Sequence, residues 1–383
     1  QRQMCIRDSI YNMNGLIIWA YSYCRSTISF YLELGNFFSV PLKIYVWRTD
    51  YSLRENVGFS RREIEDNNIY ILEEGNNFAI NILKKHRTWN HIFTAYQNVP
   101  LFQKLMQIAI SENIVYAIAS EAPCNMYRFP LRFIKSLYIS YILPYKLKAY
   151  IKNAEFIINF SGHYEREMLN LGWSQNKIIS CGYYSPPIVG SQCIKRNIQN
   201  WENFTILLSG IHQWHRSPIL LLKALNILKQ RGRVCKCVIT QEGPLLEELK
   251  KYALQHRLDN ISFMGFVSLD KLIELYQTCS VYVGAGTNEP WGMRLNDVLQ
   301  CGSPLVVNKG MGGSKLVDDY ACGFTFERGN YRMLADCLDL LISNKSIYLE
   351  VAEKAYISAQ QISPRKKAKE IADIIMNLFD KWH

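Results

Sequence analysis

The stretch VYVGAGTNEPWGMRLNDVLQCGSPLVVNKGMGG, residues 281–313, carries the pattern that decides the fold. Residues 281–284 form a short apolar run, as in a buried strand, and residues 294–300 have the apolar spacing of a helix. Residues 304–308 form a second apolar run, which ends shortly before a glycine-rich turn. A strand, a helix and a second strand in this order predict a crossover unit with both strands parallel in one sheet.

The same alternation extends over the rest of the chain. Further strands are predicted at residues 15–20, 42–47, 69–72, 92–95, 114–119, 156–160, 204–208, 235–240 and 261–263, with helical patterns between them. The predicted fold class is therefore α/β, with two doubly wound parallel-sheet domains. Ligands of such sheets bind beyond the carboxyl ends of the strands.

A change in composition marks the domain boundary. Residues 185–203 contain paired prolines, a glycine and mostly polar side chains, as in an inter-domain linker. We predict an N-terminal domain over 10–190, a linker over 191–203, a C-terminal domain over 204–362 and a final helix within 363–383.

The final helix has its own start signal and a hydrophobic face. Ser363 is suited to the N-cap position and Pro364 to the first helical position. The stripe that follows consists of Ile371, Ile374, Ile375, Leu378 and Phe379. We expect this stripe to pack back on the N-terminal domain, with a membrane surface as the alternative.

Composition excludes several classes of protein. Of 383 residues, 49% are hydrophobic and 20% charged, which is typical of a globular protein rather than a disordered or fibrous one. The 11 cysteines include no C-x-x-C pair, which argues against a disulfide framework or structural zinc and for a reducing compartment. No apolar run reaches the ~18 residues that a membrane-spanning helix needs. Residues 1–9 fit no signal peptide and are interpreted as a non-native N-terminal scar.

Two carboxylates and a glycine turn suit a ligand that has both phosphates and hydroxyl groups. Glu289 lies in the loop after the first strand of the opening stretch, and Asp297 lies on its helix. Glycine turns and helix N-termini bind anions such as pyrophosphate, and carboxylates accept hydrogen bonds from sugar hydroxyls. The net charge of +11 also suits an anionic ligand. The alternatives are a loop acid, a solvated helix residue and an ordinary basic face.

The block resembles the motif of the retaining glycosyltransferases of family 4, within glycosyl transferases group 1, which have the two-domain GT-B fold. Glu289 matches their first acid, and Asp297 stands where a second Glu is usual. Residues 301–304 match C-G-x-P, and the remaining matched glycines are Gly292, Gly312 and Gly313. The resemblance implies two Rossmann-like domains facing across a cleft, with Glu289 contacting the donor sugar and Asp297 the nucleotide ribose.

Two further segments are similar to the same family. Gly243 opens a helix, and Gly265 and Phe266 follow a strand that in the family lies close to the nucleotide base. In the loop over residues 209–218, the family carries an arginine directly after the position of Gly210 and a lysine five residues later, both aimed at the diphosphate. Ile211 and Arg216 occupy these two positions here, so one cation is missing. Either His212 or His215 compensates, or turnover is weak.

The N-terminal half is similar to the family in layout only. Arg25, Ser26 and Thr27 follow the first strand, where they either form an anion-binding helix start or merely supply an N-cap through Ser26 or Thr27. His163 follows the strand at 156–160, where the family has a turn facing the cleft. It is either an acceptor-side residue or a packing or capping residue.

Residues 127–152 combine basic and aromatic side chains. They include six Lys or Arg residues and no acidic residue, with Tyr and Phe interleaved. This composition is typical of a membrane-surface segment, but it also suits helices whose aromatics belong to the core. No RNP-type strand, zinc finger or helix-turn-helix accompanies it, so we expect no nucleic-acid partner.

Together these features predict a retaining glycosyltransferase that moves a sugar from a nucleotide diphosphate sugar to an acceptor hydroxyl. We expect a glycan or lipid-linked acceptor in cell-surface polysaccharide or lipopolysaccharide-type synthesis, no metal or other cofactor, and a cytoplasmic location with peripheral membrane contact through 127–152. Glu289 and Arg216 are the predicted catalytic residues. A catalytically weak or inactive nucleotide-sugar-binding subunit and a GT-B epimerase are the alternatives.

Overall fold

A computed structural model describes residues 13–48, 68–72, 76–125, 127 and 130–379. The prediction for residues 1–9 lies outside these ranges. The chain divides into two compact units. The described residues of the first lie within 13–123, 136–186 and 363–379, and those of the second lie within 124–135 and 187–362.

Each unit is built on one parallel sheet. Among the described residues, the first sheet has seven strands in the order β3-β2-β1-β4-β5-β6-β7, and the second has six in the order β10-β9-β8-β11-β12-β13. The strands are β1 (Leu16–Ser22), β2 (Leu42–Arg48), β3 (Ile69–Ile71), β4 (Asn90–Thr94), β5 (Tyr116–Ser120), β6 (Ile157–Asn159), β7 (Ile178–Ser180), β8 (Thr205–Ser209), β9 (Lys236–Thr240), β10 (Ile261–Gly265), β11 (Val281–Gly284), β12 (Leu305–Asn308) and β13 (Gly323–Phe326).

Helices connect the strands, as parallel pairing requires. They are α1 (Arg25–Phe38), α2 (Asn76–Lys85), α3 (Pro100–Ser111), α4 (Leu131–Leu137), α5 (Leu143–Asn153), α6 (Glu165–Asn170), α7 (Ile198–Glu202), α8 (Ile219–Gln230), α9 (Leu246–Gln255), α10 (Leu269–Thr278), α11 (Arg294–Gln300), α12 (Lys315–Tyr320), α13 (Tyr331–Ser343), α14 (Lys345–Gln361) and α15 (Pro364–Leu378). The prediction of two Rossmann-like parallel-sheet domains is confirmed.

The central strands are apolar because both of their faces are covered. Leu16, Ile17 and Ile18 in β1 are fully buried, as are Val306 and Val307 in β12. Continuous apolar runs of this kind are the mark of a parallel sheet between two helical layers. Two short strands, β7 and β13, were not predicted, because their sequences are too short and too mixed to show a period.

The last helix belongs to the first unit and packs against α1. Ser363 caps it by accepting a hydrogen bond from the Lys366 N–H at 3.1 Å. Its buried face differs in part from the predicted stripe, because Leu378 is exposed and Ile374 only half-buried. The core positions are Ala368, Ile371, Ala372, Ile375 and Phe379. Ala368 and Ala372 are small, so the helix can approach α1 closely. The predicted apolar stripe alone did not indicate this.

Residues 191–203 differ from the predicted linker, because they pack onto the second unit and contain α7. Arg196 is 1% exposed, and its guanidinium donates to the carbonyl oxygens of Cys279 at 2.7 Å and Tyr276 at 2.6 Å. It also donates to the Ser303 hydroxyl. The Ile194 N–H donates to the Cys301 carbonyl at 3.1 Å. Cys301 and Ser303 of the predicted motif therefore hold this segment, at the edge where β12 begins.

Candidate active site

Loops at the carboxyl edge of the second sheet are joined by backbone hydrogen bonds. The His212 N–H, after β8, donates to the Glu242 carbonyl, after β9, at 2.9 Å. The Thr287 N–H, after β11, donates to the His215 carbonyl at 2.8 Å. Residues far apart in sequence thus form one continuous surface, at the edge where parallel sheets bind ligands.

The loop after β11 is also joined to the glycine turn after β12. The Glu289 N–H donates to the Gly310 carbonyl at 3.1 Å, and the Gly312 N–H donates to the Glu289 carbonyl at 3.0 Å. A Cβ on Gly313 would lie 2.6 Å from the Trp291 carbonyl oxygen, so this approach requires glycine. The turn is shaped by Asn308, which is buried and accepts the Gly310 N–H at 2.7 Å.

Glu289 and Arg216, the two predicted catalytic residues, lie together. Arg216 Nη2 and Glu289 Oε1 are 3.7 Å apart, and the side chains are 30% and 17% exposed. Arg216 stands at the end of a short 3₁₀ turn, Trp214–Arg216, and its buried Nε has no hydrogen-bond partner among the described residues. The pair thus places a carboxylate and a guanidinium side by side at this edge of the sheet.

Neither histidine of this loop replaces the missing cation. Burial lowers the pKa of His215, and Arg216 lowers it further against the opposing effect of Glu289. Burial also lowers the pKa of His212, against the opposing effect of a hydrogen bond to the Gln241 backbone, and Arg216 and Arg294 lower it further. Both imidazoles are therefore largely neutral at pH 7. Neutral imidazoles can donate a hydrogen bond but supply no positive charge.

A cation that sequence analysis missed lies at the same place. Arg294, the first residue of α11, directs its guanidinium toward Gly210: Nη1 of Arg294 lies 2.7 Å from where a Cβ on Gly210 would be. Burial acts to lower the pKa of Arg294, but Tyr276, Tyr282, Glu289 and Asp297 raise it overall. No local pattern links residue 294 to residue 210, so only the folded chain reveals the contact.

The other predicted donor residues lie on the same edge or near it. Asp297 is half-buried on α11, three residues after Arg294. Gly243 packs against the backbone of His212, and the Gly265 carbonyl accepts the Gln241 N–H at 2.6 Å. Phe266 is 72% exposed. The buried Gly292 precedes α11 with a φ of 94°.

The predicted residues of the first unit lie at the carboxyl edge of its sheet. Helix α1 begins at Arg25, so Cys24 occupies the N-cap position, and the suggestion that Ser26 or Thr27 is the N-cap is wrong. Thr27 instead donates to the Cys24 carbonyl at 3.1 Å. His163 is exposed after β6, three strands from β1 in the sheet order, which is about 14 Å at ~4.8 Å per strand. Arg25 and His163 thus follow strands that are not neighbours in the sheet.

The basic aromatic segment is exposed in one part and buried in another. Helix α4 and the π-helical turn Tyr138–Ile142 contain no buried residue, whereas α5 buries Leu143, Leu147, Tyr150 and Ile151. A surface cavity of about 530 Å³ lies beside α5, lined by Tyr145 and by Lys148, Lys152 and Lys177 among others. Core packing thus accounts for α5 only.

The described residues contain neither a candidate membrane span nor a candidate metal site. Among residues 13–379, less the gaps given above, no helix combines the length and apolar character needed to cross a membrane. Nor do three or more His, Cys, Asp or Glu side chains gather there in a way that could hold a metal ion.

Residues 194–359 match the family described as Glycosyl transferases group 1. The match lies within the second unit, and it confirms the predicted group 1 domain. An uncharacterized glycosyltransferase of Haemophilus influenzae is 26% identical over 183 residues, which are 47% of this chain and 51% of that protein. The chain thus spans about half the length of this curated relative.

Solved glycosyltransferase structures share the fold over nearly the whole chain. The structure of Anabaena HepE in complex with UDP and glucose superposes with a TM-score of 0.63 and 13% identity, covering 95% of this chain and 100% of that one. The lipopolysaccharide outer core galactosyltransferase WaaB, in its apo form, gives 0.65 and 11% identity, covering 95% and 99%. At such identities the likeness establishes the fold.

Proposed function

We propose that this chain is a retaining glycosyltransferase that transfers a sugar from a nucleotide diphosphate sugar to an acceptor hydroxyl. The observation that carries the proposal is the Arg216–Glu289 pair, with its nitrogen and oxygen 3.7 Å apart, on hydrogen-bonded loops at the carboxyl edge of the second sheet. The group 1 match over residues 194–359 and the fold shared with a structure in complex with UDP and glucose support the same donor class.

The chemistry follows from the two charges. Transfer breaks the bond between the anomeric carbon and the diphosphate, so negative charge develops on the departing phosphate. The Arg216 guanidinium can stabilise that charge, which is the effect that contributes most in many enzymes. Glu289 can accept hydrogen bonds from sugar hydroxyls and hold the anomeric carbon in place. We infer that these groups make a metal ion unnecessary.

The proposal also includes retention of the anomeric configuration, a cell-surface glycan acceptor and peripheral membrane contact. Retention rests on the resemblance of the Glu289–Asp297 block to family 4. A cell-surface glycan acceptor is supported by the fold shared with a lipopolysaccharide galactosyltransferase. Peripheral membrane contact is supported by the exposed Leu137, Tyr141, Ile142 and Tyr145 next to Lys146 and Lys148.

Release of nucleoside diphosphate from a panel of nucleotide sugars tests the proposal. Wild type should release it slowly without acceptor and faster with acceptor. Glu289→Gln should lower the rate by at least about 100-fold, since it removes a charge at the reacting centre, with an unchanged melting temperature. Glu202→Gln, at an exposed glutamate at the end of α7, is the matched control and should keep the wild-type rate.

Three results would contradict parts of the proposal. A Glu289→Gln rate within threefold of wild type would reject the site. Loss of activity in excess EDTA would reject metal independence, and a product with inverted anomeric configuration by proton NMR would reject retention. Binding of nucleotide sugar without any turnover would favour the inactive-subunit alternative.

A further inference from the structure

Two arginines from different loops share the space beside Gly210. Gly210 has a φ of 133°, and a Cβ built there would lie 2.7 Å from Arg294 Nη1 and 3.0 Å from Arg216 Nη1. Both guanidinium groups therefore lie within 3.0 Å of one point at the end of β8. Two like charges this close repel, and the Glu289 carboxylate beside Arg216 offsets only part of that repulsion.

The described residues around Arg294 leave the hydrogen-bond donors of its guanidinium without acceptors. Arg294 makes no hydrogen bond or ion pair within the portion of the chain that the structure describes, although a guanidinium has five N–H donors. The nearby hydroxyls of Tyr276 and Tyr282 are bonded to Ser209, at 3.1 Å to its Oγ and 3.0 Å to its carbonyl oxygen. Arg216 has one ion pair, with Glu289, and a buried Nε that has no partner among the described residues.

Residue 211 supplies no charge to this cluster. Ile211, directly after Gly210, is apolar and 41% exposed. A phosphate beside Gly210 would thus meet cations from the loop after β8 and from the start of α11, and none from position 211. Charge-assisted bonds from two guanidinium forks suit the oxygens of adjacent phosphates.

We propose that Arg294 is a second phosphate-binding residue of the donor site, acting beside Arg216 and supplying the positive charge that position 211 lacks. This inference rests on the proposed function, because it names the residue that binds the diphosphate of the donor. The rival interpretation is that Arg294 only balances the charges of Glu289 and Asp297.

Calorimetric titration with inorganic pyrophosphate tests the inference. Arg294→Gln should weaken pyrophosphate binding by at least about tenfold, since it removes charge-assisted hydrogen bonds to phosphate. Arg332→Gln, at an exposed arginine on α13 of the same unit, is the matched control and should change affinity less than twofold. Moving the charge tests the geometry: Ile211→Arg combined with Arg294→Gln should recover at least a third of the lost affinity.

A variant that keeps the positive charge at position 294 controls for a folding defect. Arg294→Lys retains the charge but loses the fork, so its affinity should fall between those of wild type and Arg294→Gln, at an unchanged melting temperature. Pyrophosphate affinity equal to wild type in both Arg294 variants would overturn the inference and favour the charge-balancing role. Wild type that binds neither pyrophosphate nor UDP would instead overturn the proposed function, and this inference with it.

Discussion

Burial of His91 links the stability of the first unit to pH. His91 in β4 is fully buried, and its Nδ1 accepts the Trp19 Nε1–H at 3.1 Å. Its Nε2 must then carry the hydrogen and donate to the His86 carbonyl at 3.1 Å. A second proton would have to enter at Nδ1, against the Trp19 donor. Burial accordingly lowers the pKa of His91 to about 4.

The unfolding free energy should therefore fall as pH drops from about 6.5 to about 4. In this range the unfolded chain, with a histidine pKa of about 6.5, binds a proton that the folded chain excludes. The contribution of His91 is about 3 kcal/mol, fully present above pH 6.5 and lost towards pH 4. Urea unfolding at several pH values measures it.

Two variants isolate this contribution from those of the carboxylates. His91→Gln should flatten the dependence between pH 6.5 and 4.5, whereas His163→Gln, at an exposed histidine, should leave it as in wild type. Equal slopes for wild type and His91→Gln would show that His91 is already protonated, or not buried, in the folded protein.

Some of the important residues could be predicted from the sequence, and others could not. Glu289 and Arg216 could be found because each stands in a short motif with fixed spacing. Arg294 and Arg196 could not, since their partners are remote in sequence: Arg294 reaches Gly210, and Arg196 reaches the Tyr276 and Cys279 carbonyls. A buried arginine that pairs with carbonyl oxygens leaves no acidic partner in the sequence to indicate it.

At the scale of elements, the helical segment over residues 131–153 changes character at its π-helical turn. Before and within Tyr138–Ile142 it buries nothing, and after it α5 packs on the first unit. Tyr145 is 82% exposed, next to Lys146 and Lys148. Aromatic side chains beside lysines are suited to the interface of an anionic bilayer.

We expect this segment to bind anionic vesicles. Wild type should cosediment with phosphatidylglycerol vesicles and not with phosphatidylcholine vesicles, because lysines near the surface contribute about 1 kcal/mol each with anionic lipid. A Tyr141→Ser and Tyr145→Ser double variant should lose most of this binding.

The control for vesicle binding lies on the other unit. Leu254 on α9 is 81% exposed, about as much as Tyr145. Leu254→Ser therefore removes a similarly exposed apolar side chain that lies outside the lysine-containing segment. Equal vesicle binding by the double variant, the control and wild type would show that residues 131–153 are not the membrane-binding element.

For the whole molecule, the sequence was sufficient for the architecture but not for every boundary. Apolar runs alternating with helices predicted eleven of the thirteen described strands, because buried parallel strands need continuous apolar sequence. Linker character over residues 191–203 was misleading, since a polar segment can still pack when its arginine is bonded to carbonyl groups. Compact units are set by contacts between distant residues, which local composition does not encode.

The position of a bound nucleotide tests the central claim most directly. A crystal of this protein soaked with UDP and solved by X-ray diffraction should show the diphosphate at the carboxyl edge of the second sheet, between Gly210, Arg216 and the glycine turn at 310–313. Diphosphate density elsewhere, such as in the lysine-lined cavity beside α5, would contradict the account.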